Sequence, residues 1–180
     1  PQIEGLCACY PNSSLGREQP PHLRPAQEIR LQCFRKRIQP SFSQPGVHWI
    51  KAVHVPTNTI IGAAAWVGPE LPPHNIFRQS AFAFYGWQEK LGWSDADVDE
   101  LWAHVDDKAL SEGHARDDEV RSKVLPEPHW YLALLMTWPD WQGRGVGKRL
   151  LDWAIRQADA EMPPTPMYLE ASAMSRAIYM

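Results

Sequence analysis

The sequence predicts a mixed α/β fold, and three stretches carry the prediction. Residues 49–55 and 59–66 are rich in β-branched and aromatic side chains and flank the turn sequence Pro56-Thr57-Asn58, as paired strands would. Residues 130–136 form a nearly continuous apolar run, the pattern of a central strand covered on both faces. Shortly after it, Gln142-Gly143-Arg144-Gly145-Val146-Gly147 leads into a helical period over 145–158. There Val146, Leu150, Trp153, Ala154 and Ala158 share one face.

The remaining elements follow in chain order. Residues 1–24 are polar and proline-rich and predict an extended arm, since Pro11, Pro20, Pro21 and the following Pro25 interrupt any regular element. Residues 5–10 are the one strand candidate within it. Residues 25–39 predict a helix, with proline in its first turn and Leu31, Phe34 and Ile38 on one face. Arg30, Arg35, Lys36 and Arg37 cover the rest, either as a solvated face or as a surface for an acidic partner. Gly62, inside the second strand of the hairpin, predicts a bulge or a close backbone approach. Ser94 followed by Asp95 and Asp97 reads as a capped helix start, with Val98, Leu101 and Val105 on the apolar face. Residues 111–123 are charged and aperiodic and read as a mobile loop. Pro163-Pro164 closes off the helix after the glycine-rich turn, and residues 168–172 read as a further strand.

Composition narrows the class. A chain of 180 residues has single-domain length and can bury one core. Apolar residues make up 44% and charged residues 22%, as in ordinary globular proteins. A net charge of −3 points to neither a nucleic-acid nor an anionic-membrane partner. The apolar stretches fall short of the roughly 18 residues of a membrane span, and no signal-peptide pattern opens the chain. Cys7, Cys9 and Cys33 read as free thiols of a reducing, cytoplasmic compartment. Cys7-x-Cys9 lacks the second pair a metal site needs, and no metal is expected.

The glycine-rich turn is the strongest chemical signal. Backbone N–H groups at a helix N-terminus lack intrahelical partners and carry about half a positive charge. Glycines let such a backbone approach a phosphate closely. The spacing excludes two familiar phosphate loops. G-x-G-x-x-G read from Gly143 would need glycine at Lys148, and a P-loop ending at Gly147-Lys148 would need glycine at Gln142 and a hydroxyl at Arg149. Q-x-x-G-x-G fits, with Gln142, Gly145 and Gly147 in register. This segment resembles the acetyl-CoA loop of the GNAT superfamily of N-acetyltransferases. Leu135-x-Thr137-x-Pro139 upstream, and the strand at 168–172 leading to Tyr179 downstream, match the same family. The likeness is clear over residues 129–180, extends over 24–70, and is unsupported over 71–128.

The resemblance implies a single acetyltransferase domain over 1–180, with a strongly bent, mainly antiparallel sheet flanked by helices, an insertion at about 70–128 that bears on acceptor specificity, and incomplete ends. It implies acetyl-CoA as cosubstrate, with its pyrophosphate on the backbone of Gln142, Gly143, Arg144, Gly145, Val146, Gly147 and Lys148. Arg144 either adds charge there or faces solvent. Backbone groups of Leu135, Met136 and Thr137 would pair with the pantetheine arm, and Ser172 stands where the family's cofactor-contacting asparagine is usual. Tyr179 matches the tyrosine that protonates the leaving thiolate, its alternative being a core aromatic. The base would project from the central strand. Strand alternation puts His129, Tyr131 and Ala133 on one face; alanine cannot act, and His129 has the best intrinsic pKa, near 6.5. The alternative for His129 is a partly buried strand-end residue, and Glu127 and Glu170 are weaker candidates. The acceptor is a small-molecule or peptide amine, a homodimer is a possible assembly, and a non-catalytic coenzyme A-binding module is the competing function.

Overall fold

A computed structural model describes Cys9, residues 19–171, Ser175 and Tyr179. The strand candidate at 5–10 lies outside the described residues but for Cys9. Four strands form one sheet in the order β1 (Val47–His54), β2 (Thr59–Val67), β3 (Trp130–Thr137) and β4 (Met167–Leu169). The first two pairings are antiparallel and β3–β4 is parallel, so the apolar run at 130–136 is an inner strand. The hairpin turn holds Asn58 in the left-handed region, at φ 50°.

Helices cover both faces. On one lies α6 (Val146–Asp159), whose Val146, Leu150, Ala154 and Ala158 pack on Ile61, Ala64, Trp66, Trp130 and Leu132. On the other lie α1 (Gln27–Ile38) and four helices of the 70–128 segment: α2 (Ala81–Phe84), α3 (Trp87–Leu91), α4 (Asp95–Trp102) and α5 (Asp107–Val124). Phe34, Ile38, Ile76, Phe82, Trp87 and Leu101 meet Ala63, Ala65, Val67, Tyr131, Leu134 and Met136 there. In α4 the Ser94 side chain accepts from the Asp97 backbone N–H, and the Asp97 carboxylate accepts from that of Ser94, a complete capping box.

Residues 111–123, read from sequence as a loop, are helical and belong to α5. A mostly polar helix has no apolar stripe to reveal its period. It is held instead by side-chain pairs, with Lys123 Nζ 2.6 Å from Glu119 Oε1 and Arg121 bonded to Asp118 one turn back.

Two irregularities shape the sheet. Between β1 and β2 the register shifts at Ala52/Val53, leaving Ile61 as an extra residue whose carbonyl accepts the Trp138 N–H at 3.0 Å. The adjacent Gly62 is the close approach. A Cβ there would lie 2.9 Å from the Met136 carbonyl oxygen and 2.9 Å from Val146 Cγ1. Between β2 and β3, Ala65 faces Leu134 while Trp66 faces Leu132, so Ala133 bulges. The bulge breaks the simple alternation expected of β3. Tyr131 points into the layer of α1 and the 70–128 segment, and beyond the bulge so do Leu134 and Met136, while Leu135 joins the α6 layer.

Candidate functional site

The glycine loop joins β3 to α6. Gly143 and Gly145 take φ of 71° and 76°, a region costly for residues with a Cβ. Gly145 is the N-cap of α6, and no side chain caps the helix among the described residues. The first-turn N–H groups and the helix dipole therefore face outward. Among the described residues, a Cβ at Gly143 or Gly145 would meet nothing within 4 Å. Gln142 turns its side chain back, donating from Nε2 to the Thr137 carbonyl at 3.1 Å, and so fixes the loop to the end of β3. The Cys9 thiol donates to the same carbonyl at 3.0 Å. Arg144 lies over the Trp141 ring, 5.0 Å from its centroid, and the other face of the loop's charge comes from Lys148, which pairs with Asp152 at 2.9 Å.

Beside the loop the sheet opens. The β3–β4 ladder runs Trp130↔Met167, Tyr131↔Tyr168 and Leu132↔Leu169, and ends there, whereas β2 follows β3 as far as Thr137. The stretch with Leu135, Met136 and Thr137, next to the glycine loop, thus has no β4 partner among the described residues. The structure brings these three residues and 142–148 together.

Of the catalytic candidates, His129 stands at the far end of β3 from the glycine loop. His129 is 3% exposed and lies just before β3, about 26 Å of strand away from Thr137 at roughly 3.3 Å per residue. Its Nδ1 lies 2.6 Å from the Glu127 carbonyl, and its buried Nε2 has no partner among the described residues. Tyr179 is half-buried, and burial pushes its phenol above the ordinary value, which keeps it protonated at neutral pH. Ser172 lies outside the described residues.

A polar cluster gathers around Glu170, one of the weaker base candidates, at the end of β4. Glu170 follows the last residue of β4. The Tyr131 hydroxyl donates to Glu170 Oε2 at 2.9 Å, and Arg121 Nη1 lies 3.4 Å from Glu170 Oε1. Arg121 is buried, stacks on the Tyr131 ring at 4.9 Å, and bonds Asp118 and the Pro73 carbonyl. Arg78 grips Asp118 from the other side. Burial pushes the Asp118 carboxyl up, but the two guanidiniums outweigh it and hold it below its ordinary value. Burial pushes the Glu170 carboxyl up, opposed by the Tyr131 hydrogen bond and Arg121. The signal available in the sequence was Glu170 itself, a carboxylate continuing an apolar strand; its partners are 39 and 49 residues away, beyond any local pattern.

A glycine-led helix, uncapped among the described residues, thus stands beside the point where the β3–β4 pairing ends. The profile of the acetyltransferase (GNAT) family matches residues 18–175, and the chain belongs to that family. Its fold resembles a solved structure described as histone acetyltransferase HPA2 and related acetyltransferase from Corynebacterium glutamicum. That likeness has a TM-score of 0.53 and 19% identity, covering 98% of this chain and 74% of the other. A mosquito arylalkylamine N-acetyltransferase like 5b gives a TM-score of 0.47 and 12% identity, covering 88% and 66%. A search of the curated proteins finds no match.

Proposed function

We propose that this acetyltransferase takes its acetyl group from acetyl-CoA and delivers it to an amine. The observation that carries the reading is the α6 N-terminus, uncapped among the described residues, with Gly143 and Gly145 at positive φ and none of those residues within 4 Å of a Cβ built on either. Such a terminus suits a pyrophosphate, which the N–H groups of residues 142–148 would hold, with charge added by Arg144 and Lys148. The pantetheine arm would lie along Leu135–Met136–Thr137, where the strands part, as an added strand lies on a sheet edge. Ser172 would contact the cofactor, and Tyr179 would return a proton to the departing thiolate of coenzyme A.

Calorimetry with acetyl-CoA and free-thiol release with an amine panel test the reading. Gly145→Asp sets a carboxylate in the phosphate path. Like charges about 4 Å apart repel by roughly 4 kcal/mol at an effective dielectric of 20, so affinity should fall by about three orders of magnitude. A folded Gly145→Asp variant that binds acetyl-CoA undiminished would refute the placement. Binding by the unaltered protein without thiol release across the panel would favour a non-catalytic coenzyme A-binding module.

A further inference from the structure

We propose that the groove between α2, α3 and the first turns of α4 docks an extended basic segment of a partner protein, two of whose arginine or lysine side chains, at alternate positions, meet Asp95 and Asp99. This goes beyond the acetyl-transfer reading and does not depend on it.

Charge is unevenly divided along the chain. Residues 70–128 hold thirteen of the 21 acidic residues but six of the 18 lysines and arginines, so the remainder carries an excess of positive charge. Some of these acids are already used. Asp97 closes the α4 capping box, and two arginines grip Asp118. Glu89, Asp95 and Asp99 are exposed and have no ion-pair partner among the described residues.

Exposed acids alone make an ordinary solvated face. These three surround a hollow. Two neighbouring cavities, of about 390 and 350 Å³, share Phe82, Ala83 and Gln88. In the larger, Phe82, Ala83 and Val98 give an apolar floor, with Asp95 and Asp99 on the α4 side. The smaller adds Trp93 and Glu89. Among the described residues, no lysine or arginine lines either one. The floor is rigid, because Phe82 is 1% exposed and its ring is held by those of Trp87, Trp93 and Trp102, at 5.4, 5.4 and 5.3 Å between centroids. A surface fixed in advance loses little freedom on binding.

The hydrogen bonds set what the rim offers. Gln79 Nε2 donates to Asp99 Oδ1 at 2.9 Å, and Gln88 Nε2 donates to Asp95 Oδ1 at 2.6 Å. Each carboxylate is thus held by one oxygen, and its Oδ2 is left for a cation. The amide oxygens of Gln79 and Gln88 stay open as neutral acceptors, a match for peptide N–H groups rather than for charge alone. Spacing then selects the partner's conformation. Asp95 and Asp99 are four residues apart on α4, about 6 Å along its axis and on one face. An extended chain repeats its same-side side chains about every 6.6–6.8 Å. Basic residues at alternate positions therefore reach both carboxylates while their stems cover Phe82, Ala83 and Val98. A further arginine would lay its guanidinium on the half-buried Trp93 beside Glu89.

The test is fluorescence anisotropy of the full chain at low salt, where exposed charges are least screened. The probes are a labelled peptide containing Ala-Arg-Ala-Arg-Ala and its isomer Ala-Ala-Arg-Arg-Ala, which turns one arginine away. The alternating peptide should bind tighter than the isomer by about 1.4- to 5-fold, the worth of one exposed ion pair. Asp95→Asn with Asp99→Asn should weaken it by about 2- to 25-fold, while Glu112→Gln with Glu119→Gln, the same loss of charge on α5, should leave it unchanged. Ala83→Leu fills the groove from an exposed position and keeps every charge, so it should weaken binding about fivefold or more. No binding of the alternating peptide, equal binding of the two isomers, or an equal loss in the α5 variant would overturn the proposal. So would displacement by spermidine at the peptide's own concentration, which would mean attraction to charge alone. If the Asp95/Asp99 variant does not fold, undiminished binding by Ala83→Leu overturns it instead. The titration contains no acetyl-CoA, so its outcome is separate from that of the acetyl-transfer reading.

Discussion

Replacing Gly62 with alanine tests how the sheet sets the height of the glycine loop. The new Cβ would lie 2.9 Å from the Met136 carbonyl oxygen, 2.9 Å from Val146 Cγ1 and 3.2 Å from Leu150 Cδ1. Apolar carbon atoms rest at about 3.5–4.0 Å, so the helix side must retreat by roughly 0.5 Å or more. The Met136 oxygen cannot yield in step, because β3 is paired to β2 at Ala63↔Met136 and Gly62↔Thr137. Overpacking of this kind costs about 1–3 kcal/mol. For a chain of this size each kcal/mol lowers Tm by about 2–4 °C, so the expected fall is roughly 2–12 °C. Val146 is the first residue of α6, directly after the Gly145 cap, so its displacement carries the loop with it. Acetyl-CoA affinity should therefore weaken alongside Tm. Differential scanning calorimetry and titration calorimetry read the two effects. An alanine variant with unchanged Tm and affinity would show that Gly62 does not position α6.

Gly147→Ala should behave in the opposite way. Its Cβ would meet Thr137 Oγ1 at 3.8 Å and Leu135 Cδ2 at 4.0 Å, ordinary contacts, and the helix should gain about 0.5–1 kcal/mol in a thermal melt. Tyr179→Phe should lower turnover by about 10²- to 10⁴-fold with acetyl-CoA affinity unchanged, and wild-type turnover where chemistry limits the rate would exclude the acid role. Burial, then the Arg78 charge, pushes the His74 imidazole down to about 4, from an unfolded value near 6.5. Between those values the unfolded chain binds more protons, so His74 contributes stability that is complete above about pH 6.5 and lost as pH falls toward 4. Urea midpoints measured across that window should fall less steeply for His74→Gln, and equal slopes would dismiss the assignment.

The legible parts of the chain were those with a period or a glycine spacing. The hairpin, β3, the turn at 142–147 and α6 each announce themselves over a few adjacent residues. Helix α5 did not, because Asp118, Glu119, Arg121 and Lys123 stabilise it through neighbours one turn away rather than through an apolar stripe. The bulge at Ala133 was hidden for another reason. In a strand buried on both faces every position is apolar, so nothing in the sequence marks where alternation slips. His129 lies just before β3 and is 3% exposed, a depth that strand alternation does not reveal. The chain Asn75–Tyr131–Glu170–Arg121 draws on three segments far apart in sequence, and polar side chains that meet only in the folded state leave no local trace.

The extra residue at Ala133 also works as a phase shifter. Trp130 and Leu132 feed the α6 layer ahead of it and Leu135 feeds the same layer behind it, so the two halves of β3 are out of step by one. Removing Ala133 alone would leave Trp66 facing Leu132 and Ala65 facing Leu134 in unbroken alternation, with Tyr131 still in the layer of Asn75 and Glu170. The extra residue therefore changes which sequence positions share a layer without changing the layer of any side chain around it.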